Sequence, residues 1–345
     1  MARLMFFAHD PGGCNAILPL LDAFREHNHD VLIYAGGQAA AKIPEASGLS
    51  SDCLENILNH EKPDFIITGT SSNDFTEKFL WETAKNFNIP SLAVLDHWCN
   101  YGIRFSKYCL KEISSYNSDK SVDFLPSFIC VMDDFAKAEM QNDGIPASII
   151  HPLGNPHFGT LKNKSKDVDI AKIRSKFLGN NGKKKIVTFA SEPYEEDYGL
   201  APERKALEDI REILKENGDL AFVVKLHPKE SMGKYGELHG VFFDREIDPA
   251  ELIVTSDVVI SMTSMFLMEA CILGKKCLSY QPGEPDGSRF ILTRNGVLPF
   301  VNNRHDLRRA LLNLLNTQKI RYNLAVDLNA TENIVKFVEL TLCQS

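Results

Sequence analysis

The sequence lacks several features that would assign it to a class at once. Its 345 residues include eight cysteines but no CxxC pair, and no apolar run approaches the roughly 18 residues that a membrane span requires. Basic side chains number 38 against 46 acidic ones, for a formal net charge of -8. These absences argue against a disulfide scaffold, a zinc ribbon and a membrane span. They also argue against a nucleic-acid partner, whose binding surface needs clustered Lys and Arg.

The start of the chain and its cysteines predict a compartment. Met1 to Ala8 is a short apolar stretch with no cleavage-site pattern after it, and several cysteines lie within apolar segments. We therefore expect a cytoplasmic protein with reduced, buried thiols and no transmembrane segment, although peripheral membrane contact stays compatible with the composition. No cofactor or metal is indicated, since Asp133-Asp134 suits a helix start better than a metal site. The sequence does not indicate an oligomeric state.

Strands and helices alternate along the whole chain, which predicts an α/β fold with parallel sheets. The length suggests two domains. We expect an N-terminal Rossmann-like domain over residues 1-160, a second one over 161-324, and a C-terminal helix in 325-345. Within this plan the first helix is expected over Cys14 to His27, Ile113 to Asp123 is expected to be a loop, Lys162 to Asp167 an interdomain connection, and His305 to Leu342 a helical tail.

A group of polar residues in the second half follows two apolar runs. Phe222 to Leu226 is a buried strand that carries Lys225 and His227 to its carboxyl end, where Pro228 stops it. A second strand opens into hydroxyl side chains at the start of an apolar helix: Ser261, Thr263 and Ser264. A cation, an imidazole, hydroxyls and a helix N-terminus together predict an anion site, most simply for nucleotide phosphates.

Each of these residues also has a simpler interpretation. Ser264 or Thr263 can cap the helix, and His227 can be a structural residue at a strand end. Three hydroxyls nevertheless exceed what one cap needs, and His227 next to Lys225 is a candidate to stabilise a departing phosphate.

Glu269 lies in a helix that is apolar on every side, Met265 to Leu273. A buried carboxylate needs hydrogen-bond donors or a cation. Ribose hydroxyls of a nucleotide would supply donors, whereas a neighbouring Lys or Arg would make Glu269 a structural residue.

The first half presents its own candidates at two strand ends. His9 and Asp10 follow the first strand, and Asp96 and His97 follow the strand Ser91 to Leu95. Strand ends of open sheets line ligand crevices, so these four are candidate catalytic residues, with Asp10 or Asp96 as the general base. Asp10 could equally be a turn or capping residue. The candidate acceptor-binding residues are Gly12, Gly13, Trp98, Tyr101 and Arg104, of which the aromatic ones could simply be packing. GxGxxG spacing is absent, which argues against a dinucleotide site.

Several of these motifs resemble a known group of proteins. The Gly-Asn-Pro connection at 154 to 156, Lys225-Leu226-His227-Pro228, and Ser261 through Glu269 followed by Gly274-Lys275 look like the nucleotide-sugar enzymes of the GT-B fold. That group includes metal-independent glycosyltransferases and the UDP-N-acetylglucosamine 2-epimerases. The Lys-x-His-Pro and serine motifs are also similar to those of polysialyltransferases and CDP-glycerol glycerophosphotransferases.

The resemblance implies a fold of two Rossmann-like domains whose sheets face a central cleft, with the last helix crossing back to the first domain. It puts Lys225 and His227 near donor phosphates, the hydroxyls of 261, 263 and 264 on phosphate, and Glu269 on the ribose. The loop Ser191-Glu192 would also approach the nucleotide. The sequence departs from the epimerases, because Leu95-Asp96-His97-Trp98 stands where a His-x-Glu-Ala-Gly-like run is expected.

We therefore predict a glycosyltransferase that needs no metal and moves a sugar from a UDP- or CMP-type donor to an acceptor hydroxyl. Surface polysaccharide or glycolipid synthesis is the setting that the resemblance implies. The alternatives are a nucleotide-sugar epimerase and a non-catalytic protein that binds nucleotide sugars.

Overall fold

A computed structural model describes residues 1-179 and 184-344, which form two α/β units. The first comprises Met1–Thr160 and Val326–Ser345, and the second Leu161–Ala325. Positions 180-183 of the predicted second domain and position 345 of the predicted last segment lie outside the described residues. Both units are built on parallel sheets, so the predicted fold class is confirmed.

The first unit contains a seven-stranded parallel sheet in the order β3-β2-β1-β4-β5-β6-β7. Its strands are β1 (Arg3–Ala8), β2 (Asp30–Ala35), β3 (Ser47–Gly48), β4 (Phe65–Thr68), β5 (Ser91–Val94), β6 (Phe128–Val131) and β7 (Ile150–Pro152).

The second unit contains a six-stranded parallel sheet in the order β10-β9-β8-β11-β12-β13. Its strands are β8 (Lys185–Ala190), β9 (Leu220–Lys225), β10 (Val241–Asp244), β11 (Val258–Ser261), β12 (Lys276–Tyr280) and β13 (Phe300–Val301).

Helices connect these strands throughout the described ranges. They are α1 (Pro11–Glu26), α2 (Leu54–Glu61), α3 (Thr76–Asn86), α4 (Ile113–Asp119), α5 (Asp134–Asn142), α6 (Pro156–Lys164), α7 (Ile170–Leu178), α8 (Tyr194–Tyr198), α9 (Pro202–Lys215), α10 (Pro249–Thr255), α11 (Met265–Ile272), α12 (Ile291–Arg294), α13 (Arg304–Asn316) and α14 (Ala330–Leu342). None of them, within the part of the chain that is described, is long and apolar enough to cross a bilayer.

The last helix, α14, completes the core of the first unit. The central strands are buried along their length, as expected for a sheet covered on both faces. Helix α1 packs an apolar stripe that includes Ile17, Leu20 and Phe24 against them. Ile334, Val335 and Val338 of α14 lie in the same hydrophobic cluster as Phe6 and Leu20. The final segment therefore belongs to the first unit.

Each sheet has one position where the direction of strand addition reverses. In the first unit it lies between β1 and β4, and in the second between β8 and β11. The loops that leave the carboxyl ends of two such strands diverge to opposite faces and leave a crevice, which is the usual ligand position in open α/β sheets. The topology thus predicts one crevice in each unit.

The crevice of the first unit has a tight floor. An added Cβ on Gly13 would lie 3.0 Å from the Cα of Gly69, and one on Gly69 would lie 2.7 Å from the Cα of Gly13. The two loops therefore approach closely because neither residue has a side chain.

Four expectations about local structure are corrected. Helix α1 begins at Pro11 instead of Cys14, because proline suits the first helical position and Gly12 and Gly13 continue the first turn of the helix. Residues 113-119, expected as a loop, form α4, which buries Tyr116. Lys162 to Lys164, expected as connection, continue α6. The predicted helical tail is interrupted between α13 and α14.

Candidate functional site

In the second unit, the candidate residues leave the carboxyl ends of the three neighbouring strands β9, β8 and β11. Ser191 and Glu192 follow β8, and the loop 262-264 follows β11. The two strands flank the position where strand order reverses, so these loops form the walls of the second unit's crevice.

The carboxylate of Glu192 occupies a ring of donors in this crevice. Its Oε1 accepts hydrogen bonds from the backbone N-H groups of Met262, Thr263 and Ser264, at 3.0, 2.7 and 3.1 Å. The hydroxyl of Thr263 donates to Oε2 at 2.5 Å, and the hydroxyl oxygen of Ser261 lies 2.9 Å from Oε1. We call residues 261-264 with these donors the anion nest.

The anion nest is assembled by local chain geometry at the start of α11. Successive backbone N-H groups that point at one site form a concavity for anions, and the N-terminal end of a helix adds a favourable dipole. Ser264 also caps α11, since its hydroxyl accepts from the backbone N-H of Phe266 at 3.2 Å. Its hydroxyl therefore has the simpler of its two predicted roles, while its backbone N-H belongs to the nest.

His227 is held in a tight turn by a buried acid. The carboxylate of Glu230, only 1% exposed, accepts from the backbone N-H of His227 at 2.7 Å. Its other oxygen accepts from the hydroxyl of Ser191 at 2.8 Å and lies 3.2 Å from the hydroxyl of Tyr235. The backbone N-H of Lys229 donates to Nδ1 of His227 at 3.2 Å. Glu230 thus ties the loop after β9 to the loop after β8.

Lys225 contacts the side of the sheet away from the anion nest. Its ammonium pairs with Asp244 at 2.8 Å and also donates to the backbone carbonyl of Ile247. Both side chains of the ion pair are largely buried. A phosphate contact by Lys225 stays a prediction, and it would require this pair to open.

Glu269 lies on α11 and is 7% exposed. The helix is apolar elsewhere and buried, as expected. A ribose contact by Glu269 stays a prediction. A small pocket adjoins the anion nest and is lined by Tyr194, Pro202, Met262, Thr263, Gln281, Pro282, Glu284 and Arg289.

One acidic group in the described ranges has the spacing of a metal site: Glu196, Glu203 and Glu230. The ammonium of Lys234 lies among these carboxylates, at 2.8, 2.7 and 2.7 Å. A buried cluster of like charges needs a cation, and the chain supplies its own. These residues fit a structural role better than a metal-binding one.

In the first unit, Asp10 lies at the centre of the crevice between the loops after β1 and β4. The hydroxyl of Ser71 donates to its Oδ2 at 2.9 Å, and Nδ1 of His9 lies 3.2 Å from its Oδ1. Nε2 of His9 is 3.5 Å from Asp74. The side chain of Asp10 does not cap α1. His9 and Asp10 are therefore brought together, with two polar residues from the loop after β4.

Asp96 reaches the same crevice from β5. Arg104, which is buried, donates to Oδ1 of Asp96 at 2.9 Å and to the hydroxyl of Thr70 at 2.7 Å. The other oxygen of Asp96 lies over Gly12, where an added Cβ would meet it at 1.8 Å. Gly12 thus leaves room for a carboxylate, and Arg104 orients that carboxylate.

Next to Asp96, the side chains of His97 and Cys99 shift each other's pKa. Burial, the largest influence on each, disfavours their charged forms. Their mutual attraction and hydrogen bond outweigh it, so the pKa of His97 is raised and that of Cys99 is lowered. The sequence did not single out Cys99, because its spacing matches no motif.

The aromatic acceptor candidates are packed into the first unit. The indole N-H of Trp98 donates to Asp133 at 2.8 Å, and its ring lies nearly parallel to that of Phe158. Tyr101 is also buried. Contact with an acceptor stays a prediction for both, and their observed neighbours agree with the simpler interpretation as packing.

Three acidic residues near the candidates were missed by the sequence analysis. Asp74 precedes α3 and Glu77 lies in its first turn. Their D-x-x-E spacing indicates the start of a helix, but it does not indicate that either carboxyl group faces the interior. Glu230 follows His227 by three positions, a spacing at which a carboxylate can reach back to a backbone N-H. That signal could have identified Glu230.

The whole chain is similar to known proteins in its fold alone. No family model matches it, and no curated protein does. Its fold is similar to that of the UDP-GlcNAc 2-epimerase from Neisseria meningitidis bound to UDP-GlcNAc, at 15% identity and a TM-score of 0.73, covering 98% of this chain and 100% of that one. The S. aureus MnaA-UDP structure gives 16% identity and a TM-score of 0.73, with 99% and 97% covered.

A third similar structure is the glycotransferase of kitacinnamycin, at 13% identity and a TM-score of 0.58, with 98% of this chain and 94% of that one covered. At these identities the likeness concerns the fold alone. The GT-B-like fold expected from the sequence motifs is confirmed.

Proposed function

We propose that this chain is a nucleotide-sugar enzyme that binds its nucleotide in the second unit and transfers the sugar to an acceptor hydroxyl. The observation that carries the proposal is the anion nest at the strand-order reversal of the second sheet. A site that gathers three backbone N-H groups on one carboxylate oxygen suits a phosphate oxygen equally well.

In this proposal the donor phosphate replaces the carboxylate of Glu192. Each backbone N-H group of the nest can donate one good hydrogen bond, so it cannot serve the carboxylate and a phosphate at the same time. An ionised carboxylate would also repel the phosphate. Glu192 therefore moves aside when the nucleotide binds, and the hydroxyls of Ser261 and Thr263 turn to the phosphate. His227, fixed by Glu230, is assigned to the leaving phosphate, and Glu269 to the ribose.

The acceptor side of the reaction is assigned to the first unit. Asp10 is the proposed base because its carboxylate is oriented by Ser71 and His9 and its side chain is 20% exposed. Asp96 is a weaker candidate, because one of its carboxylate oxygens is already occupied by the buried guanidinium of Arg104 at 2.9 Å. The base takes the acceptor proton, the acceptor oxygen bonds to the sugar carbon, and the bond to phosphate breaks with its electron pair left on phosphate.

A nucleotide-sugar epimerase is the second candidate, and the structural neighbours favour it. Six of the similar structures are described as UDP-GlcNAc 2-epimerases, and two of these contain UDP-GlcNAc. Against it stands Leu95-Asp96-His97-Trp98 at the position where the epimerase-like motif is expected.

Two measurements test the proposal and separate the candidates. A thermal-shift panel of UDP-, CMP-, CDP- and GDP-sugars should give a clear rise in Tm with one nucleotide, since ligand at 100 times Kd stabilises the native state by about 2.7 kcal/mol. The preferred sugar is then incubated in heavy water without acceptor. Deuterium uptake into the sugar identifies an epimerase, whereas turnover that appears only with an added hydroxyl acceptor identifies a transferase. The absence of any nucleotide shift would refute both.

A further inference from the structure

Glu77 is a buried acid of the first unit that the proposed reaction does not use. It lies in the first turn of α3 and is 1% exposed. Its Oε1 accepts one long hydrogen bond, 3.4 Å from the backbone N-H of His9. Its Oε2 is buried without a hydrogen-bond partner among the described residues. An ionised carboxylate in such a position would be strongly destabilising.

The charged groups around Glu77 do not neutralise it. Asp10 and Asp74 are its acidic neighbours from the loops after β1 and β4. Arg104 is bound to Asp96 and Thr70. The ammonium of the adjacent Lys78 donates to the backbone carbonyl of Ser106 at 2.7 Å, and it feels the charge of Glu77 without an ion pair to it among the described residues.

The electrostatic balance agrees with this geometry. Burial, first, and then repulsion from Asp10 and Asp74 raise the pKa of Glu77 well above its ordinary value, against smaller opposing effects of the His9 backbone and Arg104. Asp10, in contrast, is partly exposed and accepts a hydrogen bond from Ser71. Two nearby carboxyl groups in such different surroundings separate into an ionised and a protonated member.

We propose that Asp10 and Glu77 share one proton at neutral pH, with Asp10 ionised in the crevice and Glu77 protonated behind it. Glu77 is then a positioning residue that keeps Asp10 available as a base. If the shared proton were on Asp10 and Glu77 were ionised instead, Asp10 could not accept a proton from a hydroxyl. The use of Asp10 as a base rests on the proposed function, whereas the shared proton does not.

The first test measures stability, so it needs no substrate. Above the ordinary pKa of glutamic acid, about 4.3, the unfolded chain has lost the proton that folded Glu77 retains. The unfolding equilibrium constant of the wild type therefore gains up to about tenfold per pH unit from this site. Glu77→Gln, which mimics the protonated acid, lacks this contribution. Denaturant unfolding of the full chain between pH 5 and 8 should show that the unfolding constants of the wild type and Glu77→Gln diverge as the pH rises. The unfolding constant of Glu82→Gln, an exposed control on the same helix, should change with pH in parallel with the wild type.

Parallel curves for the wild type and Glu77→Gln would overturn the shared proton. Should Glu77→Gln fail to fold, Asp10→Asn serves instead. Loss of the Asp10 charge removes repulsion, so the pH-dependent rise of the unfolding constant should end at a lower pH than in the wild type. An unchanged end point would contradict the proposal.

The second test concerns the reaction. The acid limb of kcat/KM against pH reports the protonation of Asp10, and Glu77→Gln, which mimics the protonated acid, should leave that limb at the pH of the wild type. A limb displaced to lower pH in a working variant would show that Glu77 is ionised in the wild type, which would refute the positioning role. Absence of turnover in the wild type would refute the proposed function alone, since the unfolding curves still report on the proton.

Discussion

Replacement of Glu192 by glutamine is the most direct perturbation of the anion nest. Glutamine keeps one carbonyl oxygen for the three backbone N-H groups and removes the charge. Its amide NH2 faces the hydroxyl of Thr263, which can accept a hydrogen bond as well as donate one. The nest should therefore keep its shape and hold its occupant less tightly.

The magnitude follows from the hydrogen bonds that Glu192 accepts. Bonds to a charged acceptor contribute about 1.5-3 kcal/mol and neutral ones about 0.5-1.5 kcal/mol. The change converts charged contacts to neutral ones without leaving donors empty, so we expect a loss of about 1-2 kcal/mol in the stability of the ligand-free protein. Because the phosphate must displace this side chain, the free energy of nucleotide binding should become more favourable by the same amount, about 1-2 kcal/mol, which lowers Kd about five- to thirtyfold.

The assay is a calorimetric titration of wild type and Glu192→Gln with the nucleotide that gives the largest thermal shift, alongside urea unfolding of both. Glu195→Gln is the matched control. It lies on α8, three residues along the chain, and its exposed carboxylate pairs with Arg204 outside the nest. It should leave Kd unchanged.

A Kd that stays equal or rises in a folded Glu192→Gln protein would refute the reasoning. The carboxylate would then be a permanent part of the loop, and the phosphate would have to bind elsewhere in the unit.

Three further perturbations follow from the geometry. Glu230→Gln should reduce stability by about 3 kcal/mol in urea unfolding and slow turnover, because a buried ion pair loses one partner and the histidine loop loses its anchor. Burial lowers the pKa of Lys78 to about 8, below its unfolded value of about 10.4. Between these pH values the unfolded chain binds more protons than the folded one, so the free energy of unfolding of the wild type should rise with pH by up to about 1.4 kcal/mol per pH unit. Lys78→Met should lack that rise. Gly13→Ala should lower the free energy of unfolding by about 1-3 kcal/mol, since its Cβ would meet the backbone of Gly69 at 3.0 Å, whereas Gly48→Ala, with open space around it, should have little effect.

The sequence predicted the fold well because the fold depends on features that are local in the chain. Apolar runs such as Phe222 to Leu226 mark buried parallel strands, and the alternation with helices leaves few architectures. Segments without apolar periodicity were less predictable. Residues 113-119 form a helix because Tyr116 is buried against distant parts of the chain, which no local pattern shows.

The candidate residues were located more reliably than their contacts. The strand ends bring Asp10 and Asp96 to the same edge of the first sheet, as parallel strands do, while their roles stay predictions. The partners of Lys225 were not foreseeable, because Asp244 reaches it from a strand whose pairing depends on the whole sheet. The inward position of Glu77 was likewise hidden, as a helix-start pattern looks the same whichever way its acid points.

The return of the chain to the first unit at Val326 has a consequence for synthesis on the ribosome. The second unit is a continuous segment and can fold as soon as it has been made. Most of the first unit is made earlier, yet its core lacks Ile334, Val335 and Val338 until the segment after the second unit has been made. We therefore expect the first unit to complete its fold after the second unit and to expose apolar surface to chaperones until then. Ribosome-bound chains arrested before and after residue 338 should differ sharply in the protease resistance of residues 1-160.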